Sequence, residues 1–378
     1  VDIGLYVHIP FCRRKCGYCD FYSVDGNEPE MHSLVEAVLT ELEARLDRQD
    51  WTVETIFVGG GTPTSLPDAL LDRLFKALGK IKDTCGTVEF TVEANPCSLT
   101  KAKADILRSH GVDRLSLGAQ SFCAEELRTL DRLHQPEEIT TAIELSRQSG
   151  FEHLNLDLIF GIPGQTLTSW LNSLEQAVAL GPDHLSCYGL TYEPGTPLNS
   201  CLEQHKIIPI DQELEAKMYL ACLGKLEEEG FGQYEISNFA RPGGHCRHNL
   251  RYWRHRPGIG IGPAASSYLR GCRWRNVPDI GAYMNAISAG EEPVAEFERL
   301  SPLQHAGEVA MLRLRLAEGI NPEDFRKQTG LDLYETFGDS IKKHINAGLL
   351  EIFGENVRLT RKGMLLADEV ITEFLCSE

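Results

Sequence analysis

Cys12, Cys16 and Cys19 stand in a C-x-x-x-C-x-x-C run within the segment Tyr6-Val-His-Ile-Pro-Phe-Cys-Arg-Arg-Lys-Cys-Gly-Tyr-Cys-Asp-Phe21. Thiolates so close together on a short loop bind metal, and their number decides which. A structural tetrahedral zinc site wants four ligands, and a cubane iron–sulfur cluster is usually held by four thiolates. Three thiolates leave one iron of a cubane without a protein partner, and an open coordination position is where chemistry happens. On the residues alone three readings stand. Zinc would recruit a fourth ligand, with His8 near in sequence. A redox pair would use Cys16 and Cys19, although the strand-to-helix context of thioredoxin is missing. The third reading is a [4Fe–4S] cluster with one site-differentiated iron.

The elements that must position this loop are legible in the first half of the chain. Short β-branched or apolar runs at residues 4–9, 55–58, 88–92, 114–117, 153–158 and 184–188 alternate with helical patterns at 31–46, 69–81, 102–110, 138–150 and 169–180. Strand alternating with helix predicts a parallel sheet. Six units without a seventh and eighth predict an α/β fold with an open (β/α)6 partial barrel. Unusual residues follow the predicted strands: Gly59-Gly60-Gly61-Thr62-Pro63, then Glu93-Ala-Asn95-Pro96, then Gly118-Ala-Gln120-Ser121. Asp157 lies in the fifth strand ahead of Gly161-Ile-Pro163-Gly164, and Thr191-Tyr-Glu193-Pro194-Gly195 follows the sixth. Any one of these could be only a βα turn. Five in succession at the carboxyl ends of the strands, the functional face of β/α barrels, predict a binding site.

Residues 198–300 read as less regular. They hold a helix at 211–229, the segment Gly243-Gly-His-Cys246-Arg-His248-Asn249-Leu-Arg-Tyr252-Trp253, and a glycine-rich stretch at 258–263. Residues 301–378 read as three helices, a hairpin of strands 349–353 and 357–360 turning at Gly354-Glu-Asn356, and a last helix. That order predicts a winged-helix-like α+β module. The division expected is a barrel over 1–240, a connecting region over 241–300 and the module over 301–378.

Composition narrows the function classes. The chain of 378 residues is 42% hydrophobic, enough for a sizeable core. Its net charge of −18 argues against a nucleic-acid interface, including one on the winged-helix-like module. No apolar run is long enough for a membrane span, and no secretory leader is expected. Beyond the loop, the cysteines Cys85, Cys97, Cys123, Cys187, Cys201, Cys222, Cys246, Cys272 and Cys376 are scattered singly. They read as small buried hydrophobes in a reducing, cytoplasmic compartment.

Taken with the strand-end residues, the cysteine loop resembles that of the radical S-adenosylmethionine (SAM) superfamily. The resemblance implies a [4Fe–4S] cluster on Cys12, Cys16 and Cys19, with SAM on the open iron. It further implies one-electron cleavage of SAM to a 5′-deoxyadenosyl radical. Gly59, Gly60 and Gly61 would then let the backbone approach the methionyl ammonium, and Glu93 would accept from the ribose hydroxyls.

Tyr6-Val-His8-Ile-Pro10-Phe11-Cys12, the glycine run, Glu93-Ala-Asn-Pro, Gln120-Ser-Phe, Asn155-Leu-Asp157-Leu-Ile-Phe-Gly and the carboxyl-terminal module carry the resemblance further. Together they are similar to the family of the oxygen-independent coproporphyrinogen III dehydrogenase (HemN) and the haem chaperone HemW. Carried over by motif, Tyr6, Tyr18, Gly60, Gly61, Thr62, Glu93, Gln120, Arg132 and Asp157 would line the SAM and substrate cavity. For Arg132 the bland alternative is a surface cation. Gln120, Arg132 and Asp157 match positions that hold a second SAM in the dehydrogenase.

Two features favour the HemW branch. The dehydrogenase has an added cysteine two residues past the third, where this chain has Phe21 after Asp20. It also has a longer amino-terminal extension, whereas eleven residues precede Cys12 here. The segment His248-Asn249-Leu-Arg-Tyr252-Trp253 matches the H-N-x-x-Y-W signature of that branch. The resemblance implies haem as cargo, with His248 ahead of Cys246 as axial ligand, Tyr252 on a propionate and Trp253 against the macrocycle. One departure is Ala264-Ala265-Ser266-Ser267, where Ser266 replaces a histidine usual in the family. The function expected is delivery of haem to acceptor haemoproteins, supported by a reducing electron donor. Oxidative decarboxylation of coproporphyrinogen III is the alternative. Transient membrane association and a homodimer are both compatible with this reading.

Overall fold

The computed structural model describes residues 1–46 and 51–375; Cys376 lies outside them. Six strands run parallel in sequence order: β1 (Asp2–Ile9), β2 (Thr52–Gly60), β3 (Glu89–Ala94), β4 (Arg114–Gln120), β5 (His153–Phe160) and β6 (His184–Gly189). Each alternates. In β1, Ile3, Leu5, Val7 and Ile9 are buried in the main core, while Gly4, Tyr6 and His8 face the other way, beside Thr55, Phe57 and Gly59 of β2. Helices Glu28–Leu46, Asp68–Cys85, Lys101–Ser109, Pro136–Gln148 and Leu167–Ala179 connect the strands and lay Leu34, Leu71, Leu107, Ile139 and Trp170 into the same core. The open parallel (β/α)6 arrangement expected from the alternation is what the chain forms.

The middle of the chain is more regular than its sequence suggests. After β6 come β7 (Gly232–Glu235) and β8 (Asn238–Ala240), then β9 (Gly258–Ile261), β10 (Ser266–Leu269), β11 (Cys272–Asn276) and β12 (Val294–Arg299). They extend the sheet at both ends, giving the order β12-β11-β10-β9-β1-β2-β3-β4-β5-β6-β8-β7. The strand β9 was hidden because it is half glycine. A Cβ at Gly260 would lie 2.5 Å from the Ser266 carbonyl oxygen, so the tight passage into β10 excludes a side chain there.

The carboxyl-terminal module has its own core of Val309, Phe325, Phe337, Leu350, Val357 and Phe374. Helices Pro302–Leu314, Pro322–Thr329 and Leu333–Asn346 precede an antiparallel hairpin, β13 (Leu350–Phe353) and β14 (Asn356–Leu359). Asn356 pairs with Phe353, so it belongs to the strand and the turn is shorter than expected. No helix among the described residues is long and apolar enough to cross a membrane.

The sheet extension is tied to the first helix through one carboxylate. Glu41, 3% exposed, accepts from Tyr283 Oη (2.7 Å), Asn276 Nδ2 (2.9 Å) and the Gly262 amide (2.9 Å). Removing an acceptor strands buried donors. Glu41→Ala is expected to lower unfolding free energy by about 2–4 kcal/mol, read from the denaturant midpoint at unchanged m-value.

Candidate functional site

The cysteine loop leaves β1 and is held by backbone bonds to distant segments. Cys12 N–H donates to Val24 O (3.0 Å), Gly17 N–H to Leu130 O (3.3 Å), and Leu198 N–H to Gly17 O (2.8 Å). The glycine run after β2 docks on the residues ahead of Cys12: Gly61 N–H donates to Ile9 O and Thr62 N–H to Phe11 O, each at 2.8 Å. These contacts explain the three glycines. A Cβ at Gly61 would lie 2.6 Å from the Pro10 carbonyl carbon, and one at Gly59 would lie 2.6 Å from Glu93 Oε2. Gly60 has φ 108°, and a Cβ there would sit 2.5 Å from the His8 ring.

A cavity of about 500 Å3 opens at the carboxyl ends of the strands. Cys12, Cys16, Tyr18, Cys19, Gly60, Gly61, Thr62, Glu93, Gln120, Arg132 and Asp157 line it, so residues up to 145 positions apart converge. Tyr6 is a correction to the expected lining. The alternation of β1 sets it one layer below, where its hydroxyl bonds His8 Nδ1 (3.0 Å) and its ring stacks on Phe57. His8 Nε2 bonds the Tyr22 carbonyl (2.8 Å), so it donates there and Nδ1 accepts from Tyr6. His8 therefore supports the floor under Gly60 and is not a ligand.

The electrostatics of the cavity follow from burial. Glu93 is pushed up to about 8, by desolvation first and the Asp157 charge second; the Gly60 amide, 3.2 Å from Oε2, opposes this. Asp157 is raised by burial, against hydrogen bonds from Asn155 Nδ2 (2.8 Å) and Ser116 Oγ (3.2 Å). Arg132 is no surface cation: Nη1 reaches Cys16 Sγ at 3.3 Å and Nη2 donates to Gly118 O. Gln120 ends β4 with φ 64°, a conformation rare for a residue with a Cβ.

The residues fit the expected cofactors. Among the described residues, buried Gln120 Oε1 and Arg132 Nε have no hydrogen-bond partner, which leaves an acceptor and a donor unsatisfied beside the cavity. The glycine cradle is space that any Cβ would fill. Burial raises the Cys12 and Cys19 thiols, Cys19 to about 11, so thiolates there need a cationic partner such as iron. Among the described residues no three Cys, His, Asp or Glu side chains close on a single ion. His8, engaged at both ring nitrogens by Tyr6 and the Tyr22 carbonyl, offers no free lone pair as a fourth ligand. Bound together, a three-thiolate cluster and SAM supply one-electron cleavage of a carbon–sulfur bond.

The H-N-x-x-Y-W segment lies elsewhere. It forms the helix Arg247–Trp253 at the amino-terminal ends of the strands. Glu89 holds the start of this helix, accepting from the amides of Arg247 (2.7 Å) and His248 (2.9 Å). His248 Nδ1 is hydrogen-bonded to Thr55 Oγ1 at 2.8 Å, its ring lies 5.2 Å from that of Phe57, and burial lowers it to about 3. Cys246 is buried 3.4 Å from Glu89 Oε1 and pushed up to about 12. Tyr252 is 62% exposed, and Trp253 packs under the Arg315 guanidinium.

Sequence reasoning missed the polar residues between the two ends. Tyr234 Oη bonds His184 Nε2 (2.8 Å), His184 Nδ1 bonds Asn155 Oδ1 (2.6 Å), and Asn155 reaches Asp157. Their signal was the i, i+2 spacing of Asn155 and Asp157, and of His184 and Ser186, on one face of each strand.

Residues 6–177 match the Radical SAM superfamily model, and residues 300–366 match the HemN C-terminal domain. The chain is 36% identical to the protein named heme chaperone HemW of Bacillus subtilis over 374 residues, 98% of each. It is 32% identical to the heme chaperone HemW of Escherichia coli K12, covering 99% of this chain and 98% of that one. The solved structure of E. coli coproporphyrinogen III oxidase (HemN) superposes with a TM-score of 0.84 at 24% identity, over 99% of this chain and 90% of that one, which establishes the fold. With likeness running end to end, the chain belongs to the radical SAM superfamily and, within it, to the HemW family.

Proposed function

We propose that the protein holds a [4Fe–4S] cluster and SAM in the upper cavity and carries haem to acceptor haemoproteins. The likeness to HemW proteins over nearly the whole chain carries this reading, and Phe21 in place of a further cysteine agrees with it. Cys12, Cys16 and Cys19 hold the cluster. Gly60, Gly61, Thr62, Glu93, Gln120, Arg132 and Asp157, with Tyr18 over the loop, hold SAM and any ligand beside it. The helix with His248, Tyr252 and Trp253 organises the haem end. The working division is 1–240 for cofactors, 241–300 for haem and 301–378 as a docking module. A cytoplasmic setting, a low-potential electron donor and a homodimer complete the reading.

The deciding experiment is anaerobic. With cluster, SAM and a reductant, the protein should take up haem and yield no protoporphyrinogen from coproporphyrinogen III. Accumulation of that product would replace the carrier reading with an enzymatic one. Cys16→Ser should abolish the thiolate-to-iron charge-transfer absorption of the reconstituted cluster. Gly60→Ala, placed at φ 108° against His8, should weaken SAM binding by about tenfold or more in calorimetry while the cluster absorption persists.

A further inference from the structure

The strand β4 does not end regularly. Gly118 pairs with Asp157 and Gln120 with Leu158, so Ala119 is one residue too many against β5. That is a β-bulge, a device that re-aims side chains beside binding sites. The Ser121 amide turns back to Ala119 O at 2.9 Å, and Gln120 between them has φ 64°. This is a γ-turn of the positive-φ kind, which is rare and strained. Such a turn persists only where its surroundings over-determine it.

Those surroundings are the residues that follow the helix Ala124–Thr129. Arg132 Nη2 donates to Gly118 O, and His134 Nε2 lies 3.0 Å from Ala119 O. Two side chains at i, i+2 thus hold two consecutive carbonyls of the bulge, while Leu133 between them stands half exposed at the cavity rim. A carbonyl oxygen only accepts, so the His134 proton sits on Nε2. Desolvation first, and the Arg132 charge second, hold His134 at about 4, so its ring is a neutral donor at neutral pH. His134 is fully buried, and its Nδ1 has no hydrogen-bond partner among the described residues. The bond to Ala119 is therefore what orients the ring.

The effect reaches the cavity through one peptide plane. The Ala119 carbonyl and the Gln120 amide belong to the same rigid unit. Rotating that unit changes the φ of Gln120, and with it the direction of its side chain. Gln120 is 8% exposed and lines the cavity, with its Oε1 unpartnered among the described residues. Its Nε2 and Arg132 Nη2 each lie 3.0 Å from where a Cβ on Gly118 would stand, so the two side chains converge over that glycine. The geometry points to His134 as a positioning residue of the upper cavity: from behind the lining, it pins the turn that aims Gln120 at the ligand. This assignment rests on the reading above that the cavity holds SAM.

The test uses the full chain with its cluster reconstituted, titrated anaerobically with SAM in a calorimeter. His134→Leu keeps the volume and removes the donor. His134→Asn keeps an amide, on a side chain too short for the Ala119 oxygen. Each should weaken SAM binding by about tenfold while the cluster absorption and circular dichroism stay those of the parent. His134→Gln, whose amide nitrogen reaches the place of Nε2, should recover the parent affinity to within about threefold. Gln120→Ala should weaken binding to a similar degree. Adding His134→Leu to it should cost less than about twofold more, because the two residues act as one unit. If His134→Leu or His134→Asn folds and binds SAM like the parent, the assignment is overturned. Full additivity of His134→Leu with Gln120→Ala overturns it too, since His134 would then act elsewhere. If the parent with its cluster takes up no SAM, the cofactor reading fails first and this assignment falls with it.

Discussion

A buried donor or acceptor left alone costs about 1–3 kcal/mol, and the polar side chains that run through the barrel from Tyr234 to Asp157 meet that cost by bonding one another. The resulting chain runs from Tyr234 to His184, Asn155 and Asp157, through bonds of 2.8, 2.6 and 2.8 Å. His184 donates from Nδ1 to the Asn155 carbonyl oxygen and accepts at Nε2 from Tyr234, so one tautomer serves the whole run. Ser116 and Ser186 close the remaining valences at 2.7 and 3.2 Å to Asn155. One end of the run, Asp157, lines the cofactor cavity, and the other, Tyr234, lines a second cavity beside the helix Arg247–Trp253. A continuous polar spine therefore links the two ends of the barrel.

The upper site is built from restraint of a different kind. Its glycines close on fixed backbone at Pro10 and on the His8 ring, and that contact sets the height of the cradle above β1. Two carboxyls, Glu93 and Asp157, face one space and cannot both ionise freely there. Arg132 offsets Asp157 while Nη1 lies against Cys16, so one guanidinium couples that acid to the cysteine loop. The arrangement suits a zwitterionic ligand carrying an ammonium, a carboxylate and ribose hydroxyls.

The carboxyl-terminal module has the element order of a winged helix. Its contacts show what it does structurally. Glu318 pairs with Arg254, Glu308 takes both His255 and Arg273, and the Arg315 guanidinium covers Trp253. The Ala317 amide donates to Tyr234 O at 3.0 Å, and the Ile236 amide to Arg315 O at 3.1 Å. These bonds seat the module against the motif helix, where Ala317 and Glu318 line a small cavity with Arg247, Leu250 and Arg254.

The sequence by itself determined the six-unit parallel fold, the cysteine loop and most of the upper cavity. Those features are local: alternation, βα turns and clustered cysteines are written over a few neighbouring positions, and β topology places successive strand ends side by side. It did not determine where the H-N-x-x-Y-W helix would sit, that Tyr6 lies beneath the cradle, or that the glycine stretch after Gly258 is a strand. Tertiary structure decided these, because each depends on partners far along the chain. His248 is fixed by Thr55, 193 residues away. The helix that carries it is held by Glu89, and Tyr6 is occupied by a histidine that also holds Tyr22. A motif names the residues that matter, but only long-range hydrogen bonds show which of them remain free to bind a ligand.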